Sequence, residues 1–343
     1  MKDDAIFFIA EMSANHNRSL DRAKDIIRVA AHSGANAVKL QTYTADTITF
    51  NCNNSRFMAK GALWEGHSLH NLYNEAAMPW EWTPALFKLA RELGLDCFSS
   101  PYDLTAVDFL EKCDVSRYKI SSFDIVNIPL LKRVAVTKKP VIMSVGMANL
   151  GEIDEAVRTL RANGTTDLTL LKCTSAYPAP PEEVNLRTIP HLAQTFSCRV
   201  GLSDHTMGSA VAVASVAMGA TVIEKHFTLA RADGGPDGAF SMEPAEFKQM
   251  VQDIRIVEKA LGKVSYRLTA MQEKTAQSRP SLCVVKDIAA GEYFTNNNVK
   301  CIRPGGGLHP RYLDIVLHSR ANCNLSAGEA LLFKHILNEN DHN

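Results

Sequence analysis

Short apolar runs in this chain repeatedly end on polar or ionisable residues. Glu11 closes the first run, Lys39 and Gln41 the second, Ser99 and Ser100 the third, and Lys119 and Ser122 the fourth. Ser144 closes the fifth, Lys172, Ser175 and Tyr177 the sixth, Ser203, Asp204 and His205 the seventh, and Glu224 and His226 the eighth. If these ends converge, they build a mixed-charge pocket with three lysines, two histidines and several hydroxyls. Ammonium groups and serine hydroxyls around one point suit phosphate and carboxylate, because they combine positive charge with short-range donors. A phosphorylated carboxylic acid fits that set. His205 and His226, on neighbouring strands, would share one divalent ion and leave positions for water and substrate oxygens, an open Lewis-acid site. Glu11 would then move a proton or orient water. Plainer roles exist for the same residues. A buried histidine can be a satisfied core donor, Lys39 and Lys119 can pair with carboxylates, Lys172 and Lys225 can face the surface, and Glu11 can bond Asn15 or His16. The spacing of Ser203, Asp204 and His205 hints at a hydrolase triad, but no G-x-S-x-G nucleophile elbow accompanies it.

Elements must carry those ends to one place. Apolar, β-rich segments predict eight strands, at 5–10, 37–41, 95–99, 118–121, 140–145, 168–173, 199–203 and 221–225. Amphipathic stretches at 20–31, 84–93, 104–112, 153–161 and 247–261 predict helices between and after them, and 210–220 reads as a buried helix. Eight alternations argue for an α/β fold, a parallel (β/α)8 TIM barrel over 1–262, rather than an open doubly wound sheet. No glycine-rich dinucleotide fingerprint follows the first strand. The chain changes character after Gly262. A polar linker spans 263–280, a small β-rich module with strand-like pieces at 282–285, 299–302 and 330–333 spans 281–336, and a polar, flexible tail spans 337–343. Within the module, Asp287-Ile288-Ala289-Ala290-Gly291-Glu292 echoes Asn324-Leu325-Ser326-Ala327-Gly328-Glu329, as a repeated turn or an old duplication. Arg303-Pro304-Gly305-Gly306-Gly307 must be a loop.

At 343 residues, with 46% hydrophobic and 22% charged side chains, the chain has the composition of a folded protein and not of a disordered or collagenous one. Lys plus Arg equals Asp plus Glu, 37 each, so nothing electrostatic favours nucleic acid or an anionic membrane as partner. Any anion it binds is small. The start, Met1-Lys2-Asp3-Asp4, lacks the basic flank and cleavage site of a secretory signal, and no apolar stretch reaches membrane-spanning length. A cytoplasmic location is expected. Eight cysteines without a C-x-x-C pair read as small apolar residues in a reducing compartment.

With these residues in view, the sequence resembles the sialic acid synthase family, which condenses phosphoenolpyruvate with amino-sugar aldoses to form nonulosonic acids. The resemblance rests on seven ordered segments: Ile9-Ala10-Glu11-Met12-Ser13-Ala14-Asn15-His16, Val38-Lys39-Leu40-Gln41-Thr42, Phe98-Ser99-Ser100-Pro101, Tyr118-Lys119-Ile120-Ser121-Ser122, Leu171-Lys172-Cys173-Thr174-Ser175-Ala176-Tyr177-Pro178, Gly201-Leu202-Ser203-Asp204-His205-Thr206 and Ile223-Glu224-Lys225-His226-Phe227-Thr228. Ile302-Arg303-Pro304-Gly305 and Leu308-His309-Pro310 resemble the family's antifreeze-like (SAF) domain. Ser13 to His16, Cys173 to Pro180 and Gly307 to Leu313 lean toward the branch acting on 2,4-diacetamido-2,4,6-trideoxy-altrose. Relatives acting on N-acetylmannosamine usually carry Asn where Ser175 stands, and commonly Gly-Ser-Gly-Glu where this chain has Ser121-Ser122-Phe123-Asp124.

The resemblance implies a transferase in which His205 and His226 bind Mn2+ or Mg2+. It implies that Lys39, Lys119, Ser122, Ser144 and Ser203 hold phosphoenolpyruvate, and that Gln41, Ser175, Tyr177 and Asp237 face the sugar. Glu11 takes an acid/base or water-handling position, Lys119 stabilises charge on the phosphate, and Asp124 stands where the family commonly has a proton-handling or metal-facing Glu. Arg303 matches an arginine that reaches from one subunit into the barrel mouth of the other, so a domain-exchanged homodimer is expected. Rival readings are a sialic or legionaminic acid synthase with the same chemistry, a metal-dependent aldolase using pyruvate, which would release no phosphate, and a sugar-binding protein without turnover.

Overall fold

The computed structural model describes residues 5–52, 54–59 and 67–337. The first four residues, read above for a signal, and 338–343 of the expected tail lie outside them. The chain divides into two compact units after Gly262.

The first unit is a closed barrel of eight parallel strands in sequential order. They are β1 (Phe7–Glu11), β2 (Ala37–Thr42), β3 (Asp96–Pro101), β4 (Tyr118–Ile120), β5 (Val141–Ser144), β6 (Leu168–Cys173), β7 (Arg199–Asp204) and β8 (Val222–His226). Closure comes from β1 on β8, with Glu11 beside His226. Strands covered on both faces need apolar residues on both faces, which is why they appear as continuous runs instead of alternating ones. Around them lie α1 (Leu20–His32), α2 (Ala45–Ile48), α3 (Leu69–Ala76), α4 (Thr83–Glu92), α5 (Leu104–Lys112), α6 (Ile128–Ala135), α7 (Leu150–Ala162), α8 (Thr188–Phe196), α9 (Ala210–Ala217) and α10 (Pro244–Leu261). In α1, Ser19 caps the amide of Arg22, and Ala23, Ile26, Ile27 and Ala30 repeat at helical spacing and are buried.

The strand boundaries differ from the sequence expectation by one or two residues, and β4 and β5 end one residue earlier than expected. Five strands, β1, β2, β3, β7 and β8, run one or two residues further toward their C-terminal ends, taking Glu11, Thr42, Pro101, Asp204 and His226 into the ladder. Two helices begin earlier, α7 at Leu150 and α10 at Pro244, because capping boxes start them: Asn149 with Glu152, and Glu243 with Glu246.

The second unit has its own core of Leu282, Val284, Ile288, Phe294, Val299 and Val316, among others. It contains α11 (Ala270–Ala276), β9 (Ser281–Val284), β10 (Val299–Ile302) and α12 (Leu313–Leu317). The polar stretch read as a linker therefore holds a helix, started by a Thr269–Gln272 capping box. The expected strand at 330–333 is not formed. Ala330 makes an isolated bridge to Cys283, and a 3-10 turn follows at Phe333. The two echoing segments face each other. Ile288 and Leu325 form an antiparallel bridge, the Ala290 amide donates to Asn324 Oδ1 at 2.8 Å, and the Ala327 amide donates to Asp287 Oδ1 at 2.8 Å. Each ends on a left-handed glycine, Gly291 and Gly328, so the repeat is a pair of equivalent turns bonded to each other.

Candidate active site

Residues from the C-terminal ends of the barrel strands converge on a small chamber of about 90 Å³. Glu11, Lys39, Gln41, Lys119, Ser122, Ser144, Tyr177, Ser203, His205 and His226 all line it, together with Glu224. Lys39 Nζ lies 2.8 Å from Glu11 Oε2 and 3.7 Å from Glu224 Oε1. Lys119 Nζ lies 3.0 Å from the same Glu224 oxygen, which also accepts from Ser203 Oγ at 3.1 Å. One glutamate thus holds two lysines. Gln41 Nε2 donates to Glu11 Oε1 at 2.9 Å and to Ser13 Oγ at 3.0 Å. Glu11 does not bond Asn15 or His16: Asn15 donates to the Phe227 carbonyl and to Ser241, and His16 Nδ1 accepts from the Arg18 amide.

Burial and charge split the two carboxyls. Burial pushes Glu11 up to about 7, with Lys39 opposing and Glu224 adding to the shift. Burial also acts against ionised Glu224, but Lys119 and Lys39 outweigh it and hold the carboxyl down at about 2. Two ammonium groups against one firmly ionised carboxylate leave buried positive charge whenever Glu11 is protonated. Ser144 Oγ and Glu224 Oε2 are buried without a hydrogen-bond partner. The two lysines and the Ser144 hydroxyl can donate to an anion with several acceptor oxygens, while Glu224 Oε2, itself an acceptor, calls for a donor such as water or a substrate hydroxyl.

His205 and His226 stand with ring centroids 5.3 Å apart. His205 Nδ1 is 3.0 Å from the Thr174 carbonyl oxygen, which orients the ring. Burial, then His205 and Lys39, hold His226 well below the usual imidazole range, so it is neutral, the form a metal ligand needs. Its Nδ1 is buried without a hydrogen-bond partner, with Asp237 Oδ2 3.9 Å away. Among the described residues no group of three or more His, Cys, Asp or Glu side chains is arranged to hold a metal. Two imidazoles, one with an orphaned nitrogen, fit an ion whose remaining positions belong to water or substrate.

The chamber joins a wider cavity of about 330 Å³, sharing Gln41, Phe123, Tyr177 and His226 as walls. Asp237 lines this cavity and accepts from Ser13 Oγ. Ser175, expected to face the sugar, lines neither the chamber nor the cavity; its Oγ lies 3.7 Å from Cys173 Sγ, behind the chamber wall and beside Gly146. A Cβ on Gly146 would come within 2.6 Å of Ser175 Oγ and 2.9 Å of Ser122 Oγ, so a larger residue there would force those two hydroxyls to move.

Two expectations need amendment. The chamber contains two lysines, not three. Lys172 alternates with the inward-facing Cys173, and its Nζ reaches out to the Cys173 carbonyl and toward a surface hollow with Glu182, Arg187 and His191. The Asp124 carboxyl turns back on its own loop, accepting from Ser121 Oγ at 2.5 Å, and does not line the chamber. Arg303 is exposed in the second unit. Glu224, the residue both lysines share, stands at a strand end in the sequence, where its type alone assigns it no role. Its place two residues before His226 on one strand face was the available signal. A surface hollow of about 750 Å³, between Arg161, Asp167 and Arg199, lies at the opposite end of the strands, away from these groups.

Residues 26–266 match the NeuB family, and residues 279–337 match the SAF domain. The chain belongs to the NeuB family. That is the sialic acid synthase family its motifs resemble. The chain is 42% identical over 324 residues to the pseudaminic acid synthase of Helicobacter pylori, covering 94% of this chain and 95% of the relative. It is 38% identical over 335 residues to the N,N'-diacetyllegionaminic acid synthase of Legionella pneumophila, covering 96% and 94%. The crystal structure of an N-acetylneuraminic acid (sialic acid) synthetase from Leptospira borgpetersenii is similar with a TM-score of 0.71 at 30% identity, covering 79% of this chain and 90% of that one. This NeuB-family chain is accordingly a transferase, a phosphoenolpyruvate-dependent nonulosonic acid synthase with a metal-dependent mechanism.

Proposed function

We propose that this synthase makes pseudaminic acid, condensing phosphoenolpyruvate and water with 2,4-diacetamido-2,4,6-trideoxy-β-L-altropyranose and releasing phosphate by C–O cleavage. The observation that carries the reading is the buried pair of lysines sharing Glu224, open to a cavity large enough for a sugar. The branch is favoured by the pseudaminic acid synthases of Helicobacter and Campylobacter among the relatives, at 42% and 41% identity.

In this reading Lys39, Lys119, Ser122, Ser144 and Ser203 hold the phosphate and carboxylate of phosphoenolpyruvate. Gln41, Tyr177 and Asp237 orient the sugar so that its open-chain aldehyde carbon meets C3 of phosphoenolpyruvate. Bond formation at C3 leaves C2 electron-poor. Glu11, poised near neutrality, gives its proton to the aldehyde oxygen and recovers one from the water that adds at C2. The tetrahedral product collapses to the keto acid as the C2 hydroxyl passes its proton to the departing phosphate, which leaves with its bridging oxygen. Lys119 stabilises the charge that gathers on the phosphate. His205 and His226 would hold Mn2+ or Mg2+, which supplies Lewis-acid polarisation of the aldehyde. Asp124 acts by fixing the loop that presents Ser122. Domain exchange, with Arg303 of one subunit completing its partner's site, and a cytoplasmic setting belong to the same proposal; loss of activity in Arg303→Ala with an unchanged dimer mass would support the exchange.

The test is phosphate release from phosphoenolpyruvate, with Mn2+ or a chelator. The sugars offered in parallel are the diacetamido altrose, its manno-configured counterpart and N-acetylmannosamine. Turnover with the altrose and metal is expected. Preference for another sugar would move the branch, toward a legionaminic or sialic acid synthase. Release with none of them would overturn the reading.

A further inference from the structure

Among the described residues, the helix α3 has an apolar face that is only half-buried and has no core beneath it. Leu69, Leu72, Tyr73 and Ala76 repeat at i, i+3, i+4 and i+7, the spacing that normally packs a helix onto a protein interior. None of its residues is buried, while Asn71, Asn74 and Glu75 on the other face are exposed. The apolar face instead lines the 330 Å³ cavity, joined there by Tyr43 and Phe123. The helix is nevertheless held in place. Ser68 caps the Asn71 amide at 3.1 Å, Arg18 Nη1 donates to the Asn74 carbonyl at 2.5 Å, and the Tyr73 ring meets the Tyr43 ring edge-on at 6.0 Å.

The polar groups of the cavity, Ser13, Gln41, Tyr177, His226 and Asp237, stand on the rest of its wall, beside Ala14, Ala59 and Pro236. The polar side can read hydroxyls, whereas Leu69, Leu72 and Ala76 offer a hydroxyl no partner, the only hydroxyls on the α3 side being those of Tyr43 and Tyr73. A hydroxyl set against Leu72 would lose its water without gaining a partner, whereas a methyl there replaces apolar surface exposed to water with contact.

The geometry points to α3 as the element that selects the sugar, with Leu72 and Tyr73 receiving its methyl-bearing substituents: the deoxy carbon and the acetamido methyls. This inference rests on the synthase reading above and names which sugars that site favours. They are deoxy sugars with acetamido substituents, over analogues carrying hydroxyls at those positions.

The experiment compares kcat/KM for phosphate release with two sugars of the same configuration, the 6-deoxy diacetamido altrose and its 6-hydroxy analogue. A single methyl-for-hydroxymethyl difference in an apolar pocket is worth about 10- to 100-fold. Leu72→Asn is expected to cut the wild-type preference by about tenfold. Leu72→Met is expected to restore it, and Asn71→Ala, on the exposed face, to leave it unchanged. Because α3 buries nothing in the core, the variants should melt as the wild type does, and Leu72→Ala gives a second reading of the same ratio. If the wild type turns over and both Leu72→Asn and Leu72→Ala keep its preference, the assignment of α3 fails while the synthase reading stands. If the wild type releases phosphate with neither sugar, both fail.

Discussion

Two buried clusters of charge lie on opposite faces of β7 and β8, built from adjacent residues, and they differ in how completely they are satisfied. Outside the barrel, Lys225 Nζ reaches Asp204 Oδ2 at 2.7 Å and the Thr206 carbonyl at 2.6 Å, while Asp204 Oδ1 accepts from the Thr206 amide and hydroxyl at 2.9 and 2.8 Å. Both carboxylate oxygens and the ammonium have protein partners. Inside, Glu224 and Ser203 belong to a cluster in which two lysines share one carboxylate oxygen, while Glu224 Oε2 and Ser144 Oγ have no hydrogen-bond partner. The outer cluster is finished by the fold and holds the loop that carries His205. The inner one is finished by a ligand. Burial alone does not tell a structural ion pair from a binding site; incomplete satisfaction does.

Substitutions on the two faces should separate along that line. The largest expected effect is on stability: Lys225→Met strands the Asp204 carboxylate in the interior, and the barrel should lose about 3–5 kcal/mol, read as a fall in the urea midpoint. Adding Asp204→Asn to the same chain should recover part of that loss, because no uncompensated charge remains.

Lys119→Ala should show the opposite profile. Phosphate release at saturating substrate should drop on the order of 10² to 10³, the range for losing one preorganised charge-stabilising donor. Its urea midpoint should fall less than that of Lys225→Met, because Lys39 still pairs with Glu224. A large stability loss here would place Lys119 in the same structural class as Lys225. Gly146→Ala probes the packing behind the chamber wall. The new methyl would press on Ser175 and Ser122, and overpacking of this kind destabilises by about 1–3 kcal/mol, so a raised KM for phosphoenolpyruvate with a modest fall in melting temperature is expected.

Asp124 should give the smallest change, and a pH-dependent one. Burial raises its carboxyl from the ordinary 3.8 to about 6, against the hydrogen bonds from Ser121 and Asn127. A raised carboxyl favours the protonated folded state, so stability is lost as pH climbs from about 4 through 6. Asp124→Asn cannot ionise. Measured against the wild type by chemical denaturation, it should gain on the order of 1 kcal/mol between pH 4 and 7, after allowance for partial solvent screening.

The sequence carries much of this arrangement, for a reason that also explains the gaps. Barrel strands covered on both sides are long apolar runs, so the eight strands and the polar residues at their ends are legible without coordinates. Their last residues are not legible as strand, because Glu11, Asp204 and His226 are polar yet sit in the ladder. Side-chain alternation would have placed Cys173 inside and Lys172 outside, and Glu224 on the same face as His226. Applied to one strand at a time, a list of polar ends misses it. The turn of Asp124 back onto Ser121 and the idle apolar face of α3 depend on how loops fold over the barrel mouth, which local periodicity does not encode.

The most direct measurement is calorimetric binding of phosphoenolpyruvate, without sugar, to the wild type, Lys119→Ala and Lys225→Met at a temperature where all three are folded. The account predicts that wild type and Lys225→Met bind alike and that Lys119→Ala binds at least about tenfold more weakly, one charge-assisted contact being worth about 1.5–3 kcal/mol. Equal affinity in Lys119→Ala would contradict it, because the inner cluster would then be as self-contained as the outer one.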